Sequence, residues 1–172
     1  MSDRSILPRT HACLGFAFVA TFVGFGIQAR FPVPYRDDWD WLLALLTRPM
    51  SLRTLLEPHN EHLIPLSRLL FALQYHLEGI RGHLLFVIAL AAQLTIGWLA
   101  WHEIRRRWPD DAATRACVGG LAAAFLFSVF QLQSIVFPAA VLFPLVQVFA
   151  ALAIVCLLNA SEPGAPRVKW LT

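Results

Sequence analysis

Two short clusters hold most of the side chains in this chain that can do acid, base or ligand chemistry. The first, Arg36-Asp37-Asp38-Trp39-Asp40-Trp41, directly follows an apolar run from Ala12 to Ala29. Charge placed between a membrane anchor and two tryptophans needs a task. Asp37 and Asp38 offer three. One carboxylate can cap a following helix. A neighbouring like charge and partial burial would raise a carboxyl pKa toward general-base work. The pair can also supply oxygen ligands to a divalent cation such as Mg or Mn.

The second cluster, Glu57-Pro58-His59-Asn60-Glu61-His62, follows about twenty residues later. His59 and His62 stand three apart, and a zinc protease needs histidines four apart with Glu after the first. Asn60 is a good N-cap and Pro65 suits a first helical turn. Both clusters belong to one loop, so they can converge on one outer pocket, where Arg68 would bind a phosphate. His59, Glu61, His62 and Arg68 are therefore candidate substrate-binding residues beside the candidate catalytic Asp37 and Asp38.

The elements that must position these residues are membrane spans. Hydrophobic residues make up 58% of the chain and charged ones 15%, with a mean hydropathy of +0.60. Soluble domains have roughly 45–50% apolar and about 25% charged residues. The apolar excess comes in blocks, as in membrane helices. Ala12–Ala29, His83–Trp101, Ala116–Phe137 and Ala139–Leu158 are each long enough to cross a bilayer. The first run exceeds the ~7–15 residues of a cleavable signal core, and Ile27-Gln28-Ala29 is a poor cleavage site, so it reads as a retained anchor.

Leu63–Leu77 is apolar too, but Arg68, Gln74 and His76 interrupt it, and a charge at mid-bilayer costs about 2.5–3.5 kcal/mol. It reads as an amphipathic helix at the outer interface. Asp38–Leu46 reads as a shorter one, with Trp39 and Trp41 at headgroup level and Pro49 beyond its end. The expectation is an all-α integral membrane protein of one domain over 1–172. It has four transmembrane helices and two interfacial amphipathic helices in the first outer loop, 30–82.

Arginines set the orientation. Arg4 and Arg9 precede the first span, Arg105, Arg106, Arg107 and Arg115 lie between the second and third, and Arg167 and Lys169 follow the fourth. The positive-inside tendency puts these groups, and both termini, on the cytoplasmic side of the membrane. The net charge of +3 thus reports topology, and no nucleic-acid partner is implied. Cys13, Cys117 and Cys156 fall near cytoplasmic span ends, with no spacing for a disulfide framework or zinc. Gln131, Gln133 and Gln147 near the outer ends are expected to bond between helices or line a cavity. No phosphate loop or nucleophile elbow is present, and no span carries an acidic or basic residue at mid-membrane, which argues against an ion or proton path.

In this arrangement the chain resembles the GT-C superfamily, polytopic glycosyltransferases that use polyprenyl-phosphate-linked sugars. The shared features are a first span, an acidic pair just beyond it (Asp37-Asp38), an outer loop of interfacial helices, and further spans. Asp37-Asp38-Trp39, His59-Asn60-Glu61-His62 with Arg68, and Phe130-Gln131-Leu132-Gln133-Ser134 with Phe137 are similar to elements of bacterial membrane proteins placed near that superfamily. The resemblance covers roughly residues 10–150. It implies that Asp37 or Asp38 is a catalytic base or metal contact, that the donor is a polyprenyl-phosphate sugar, and that the reaction runs at the outer face of the inner membrane.

Superfamily enzymes carry a larger helical core. The tail Asn159–Thr172, ending in Trp170-Leu171, reads as a loop approaching another span. The chain is accordingly expected to be the front of a longer enzyme, or a subunit that assembles with partner membrane helices or with itself. The alternative function is a non-catalytic membrane module that binds a lipid headgroup or joins partner subunits.

Overall fold

The computed structural model describes residues 6–29, 37–58, 65–137 and 142–161. Among them the chain is all-helical, and it is an all-α membrane protein. Helix α1 (Ile6–Ala29), α5 (His83–Arg107) and α8 (Leu142–Ala160) are apolar enough to cross a bilayer. At 1.5 Å per residue, α1 and α5 each reach about 36 Å, beyond the ~30 Å hydrocarbon core. Large apolar side chains such as Phe16, Phe25, Phe125, Phe149 and Leu157 point outward, as they do where the solvent is lipid. Between the first two spans lie α2 (Asp37–Thr47), α3 (Leu52–Leu56) and α4 (Pro65–Glu78), then a 3-10 turn, Gly79–Arg81.

Helix α4 has 14 residues, about 21 Å, and is too short to span the ~30 Å core. Its buried face, Ser67, Phe71 and Gln74, follows helical spacing. The same face ties α4 to the start of α5. Gln74 Oε1 accepts from Leu85 N at 3.1 Å, Glu78 Oε1 accepts from Leu84 N, and His83 Nδ1 lies 3.4 Å from Glu78 Oε2. These acceptors satisfy amides in the first turn of α5 that have no intrahelical partner. Gly82 makes the corner in a left-handed conformation, φ 72°.

Helix α5 is the centre of the bundle, with α4, α6, α7 and α8 packed on it, while α1 runs along α6. The fourth apolar stretch is not one straight helix; it is a broken span or a re-entrant segment. Helices α6 (Ala112–Leu126) and α7 (Val129–Val136) meet at a 50° bend. No proline or glycine lies at the break; its cause is tertiary. Gln93 on α5 donates from Nε2 to the Leu126 carbonyl at 2.6 Å, taking the place of the helical donor that the bend removes. Phe127 then packs over Gly97, where an added Cβ would lie 2.7 Å from the ring, and meets Phe22 of α1 edge-on at 5.4 Å.

Irregular backbone at membrane depth persists only where its polar groups are satisfied. Gln93→Leu should therefore destabilise the protein by about 1–3 kcal/mol, the cost of an orphaned buried acceptor. A lower melting temperature in detergent would register it, and an unchanged one would mean that the Leu126 carbonyl has another donor.

The α5–α6 connection is a polar loop whose end is fixed by Asp111. Its carboxylate accepts from Thr114 N at 2.9 Å and from Thr114 Oγ1 at 2.5 Å, capping α6. The Thr114 hydroxyl, then the Thr114 amide, hold the Asp111 carboxyl below its ordinary pKa. A depressed pKa means stability that is present above the unfolded value, near 3.8, and lost as pH falls through the folded one. Asp111→Asn is expected to remove this component of the acid dependence, which melting curves from pH 6 downward would show as a shallower slope.

Candidate functional site

Asp37 and Asp38 open α2, in its first turn. The helix begins at Asp37, so the pair sits within that turn and not wholly before it. The helix dipole favours negative charge at these positions. Both tryptophans were expected at headgroup level, and they diverge. Trp39 is 56% exposed, whereas Trp41 is 6% exposed and packs edge-on against Phe71 of α4 at 5.5 Å. Trp41 is thus the anchor that seats α2 on α4, and Trp39 is free to meet the interface.

The seating leaves a cleft of about 90 Å³ under α2. Asp40 lines it from α2, Arg48 from just past its end, Thr54 from α3, Glu57 from the chain beyond, and Arg68 with Phe71 from α4. Helix α3, absent from the sequence-based expectation, is held by a capping box in which Ser51 and Thr54 satisfy each other's backbone amides. Its free C-terminal end is met by Arg68, whose Nη1 donates to the Thr54 carbonyl. Arg48 Nη1 lies 3.3 Å from Glu57 Oε2, pairing the end of α2 with the start of the second cluster.

Of the residues expected at the site, then, α2 carries Asp37 and Asp38 on its first turn, and Arg68 is half-buried in the cleft. His59, Glu61 and His62 lie outside the described residues, although Glu57, two positions before His59, lines the cleft. Among the described residues no three His, Cys, Asp or Glu side chains converge as a metal site. Arg48, Thr54 and Asp40 join the cleft without having been anticipated. Only Asp40 had a signal, its place in the first cluster. The others depend on the turn that α3 makes.

The glutamines also sort differently from expectation. Gln133 and Gln147 are exposed and Gln131 half-buried, and the amides that bond across helices are Gln74 and Gln93. Cys13, Cys117 and Cys156 are free thiols.

Comparison with protein-family models, with curated proteins and with solved structures finds no match to this chain. The class defined by the fold is a multi-pass helical membrane protein with a small cleft between its short helices, lined by apolar residues such as Leu45 and Met50 together with Asp40, Arg48, Glu57 and Arg68.

Proposed function

We propose that the chain is a glycosyltransferase-like membrane protein, or a part of one, acting on a polyprenyl-phosphate-linked sugar at the outer face of a bacterial inner membrane, with N- and C-termini in the cytoplasm. The observation that supports this reading is the cleft itself. The helix opened by Asp37-Asp38 also supplies Asp40 to a hollow that Arg68 and Glu57 share, so both polar clusters border one small space.

In the proposed step Asp38 or Asp37 takes the proton of an acceptor hydroxyl as its oxygen attacks the anomeric carbon. The bond to the polyprenyl phosphate breaks, and the phosphate leaves with the electron pair. Arg68 meets that charge: a guanidinium carries five donors, and the Thr54 carbonyl engages Nη1 alone. Two adjacent carboxylates also suit Mg or Mn, which bind through one or two carboxylates and keep several waters. Such an ion would offset phosphate charge. His59, Glu61 and His62 would shape the sugar pocket.

A volume of about 90 Å³ is below the ~300–1,000 Å³ of ordinary ligand pockets. It suits a single phosphate, and this favours the second reading, a non-catalytic module that holds a lipid headgroup or joins partner membrane subunits. The experiment that separates the two is sugar transfer from polyprenyl-phosphate donors by membranes carrying the wild type, Asp37→Asn, Asp38→Asn or the double variant. Transfer lost in the double variant supports catalysis. Full transfer in it removes the carboxylates from the mechanism.

A further inference from the structure

We propose that a second, larger cavity, between α1, α5 and α6, binds an anionic phospholipid, its acyl chain in the cavity and its phosphate on Arg105. The cavity has a volume of about 860 Å³ and lies at the end of the bundle opposite the α4–α5 corner. Small residues make its walls. Ala12 and Gly15 of α1, Gly97 and Ala100 of α5, and Ala116 and Gly119 of α6 are among the lining. Packing in a membrane gains from filled contact surfaces, and lining atoms without partners lose dispersion energy. Something apolar belongs there.

Charge identifies the occupant. The charged residues among those lining the cavity are Arg105 and Arg115, both cationic. Arg115 Nη1 is committed to the Trp108 and Pro109 carbonyls, 2.7 Å away in the first case. The carboxylate nearest in sequence to Arg105, Glu103, faces Arg106 at 3.5 Å and Arg107 at 3.8 Å. Arg105 is exposed and has no acidic partner among the described residues.

It ends a stripe on α5, Leu94, Trp98, Trp101 and Arg105, at helical spacing along the cavity. The two tryptophans are exposed, as suits the level where acyl chain gives way to headgroup. An apolar trough that leads past tryptophans to a free guanidinium matches a chain with a phosphate at its end. A guanidinium takes phosphate through two parallel hydrogen bonds.

Native mass spectrometry of the full chain, released from detergent after incubation with phosphatidylglycerol, phosphatidylcholine or glycerol phosphate, tests this. The expected result is one phosphatidylglycerol per chain, with the other two not retained. Arg105→Gln should lower retention at least tenfold. Ala116→Phe, which fills the cavity from α6 and keeps Arg105, should do the same. Equal retention of phosphatidylcholine would overturn the charge recognition. Retention of glycerol phosphate would reduce the site to an ion contact. A dimer of the chain, dispersed by Ala116→Phe, would show that the cavity seats a second copy instead. If Ala116→Phe does not fold, the lipid comparison on the wild type and Arg105→Gln still decides. Sugar transfer plays no part in this readout, so the result stands apart from the reading of the outer cleft.

Discussion

The double variant Asp37→Asn, Asp38→Asn is expected to lose sugar transfer by about 10²–10⁴-fold, the usual contribution of a positioned general base. Asparagine keeps the size of aspartate, so α2 should still form. Asp37 and Asp38 are consecutive residues at the start of α2, and where either carboxylate can take the proton each single variant should lose less than the double. The site where the loss falls also matters. If the carboxylates take the acceptor proton, kcat falls and donor KM holds. If they hold Mg or Mn, added cation should partly restore a single variant, and chelation should silence the wild type.

Trp41 offers a check on folding within the same assay. It seats α2 on α4 through Phe71, so a double variant with an unchanged melting temperature has kept the cleft. Transfer at the wild-type rate in that folded double variant would leave headgroup binding as the reading of the cleft.

How far the sequence alone carries depends on the kind of force involved. The spans were legible because a bilayer admits only long apolar helices, and that requirement is written in consecutive residues. Their ends were less so. Helix α5 runs on to Arg107, past the apolar run, with Glu103 near Arg106 and Arg107 at i,i+3 and i,i+4, contacts that hydropathy ignores. That the stretch around Arg68, Gln74 and His76 forms a short helix and not a span was legible from the polar residues that interrupt it, and α4 has 14 residues.

The 50° break between α6 and α7 was not legible. Its determinants are Gln93 and Gly97 on another helix, more than twenty residues earlier. The cleft was not legible either, apart from Asp40, which belongs to the first acidic cluster. Arg48 and Thr54 matter only because α3 turns the chain back beneath α2, and a five-residue helix leaves no periodic signal. Even so, Ser51 and Thr54 have the three-residue spacing of a capping box.

The second large effect concerns the contact on which the whole arrangement leans. Gly120→Leu is expected to pry α1 from α6 and cost ~3 kcal/mol, the upper end of the usual overpacking penalty. A Cβ on Gly120 would lie 2.6 Å from the His11 carbonyl oxygen and 3.1 Å from its carbon. That neighbour is backbone, so no side-chain rotation can relieve the clash. On the other side, a Cβ on Gly15 would come 3.2 Å from the Gly120 Cα. The two helices thus touch main chain to main chain, the mode by which small residues hold membrane helices together.

Gly24, also on α1, has nothing within 4 Å of an added Cβ, so Gly24→Ala serves as the control and should be neutral or stabilising, given alanine's advantage in a helix of about 1 kcal/mol. Size exclusion and melting in detergent would compare the pair. Since α1 leads by a short connection to Asp37, its displacement should also move the acidic pair and abolish transfer in Gly120→Leu while Gly24→Ala keeps it. A Gly120→Leu protein that melts with the wild type would mean that α1 and α6 pack less closely than 2.6 Å requires, and the placement of α2 would then have to come from Trp41 and Phe71 alone.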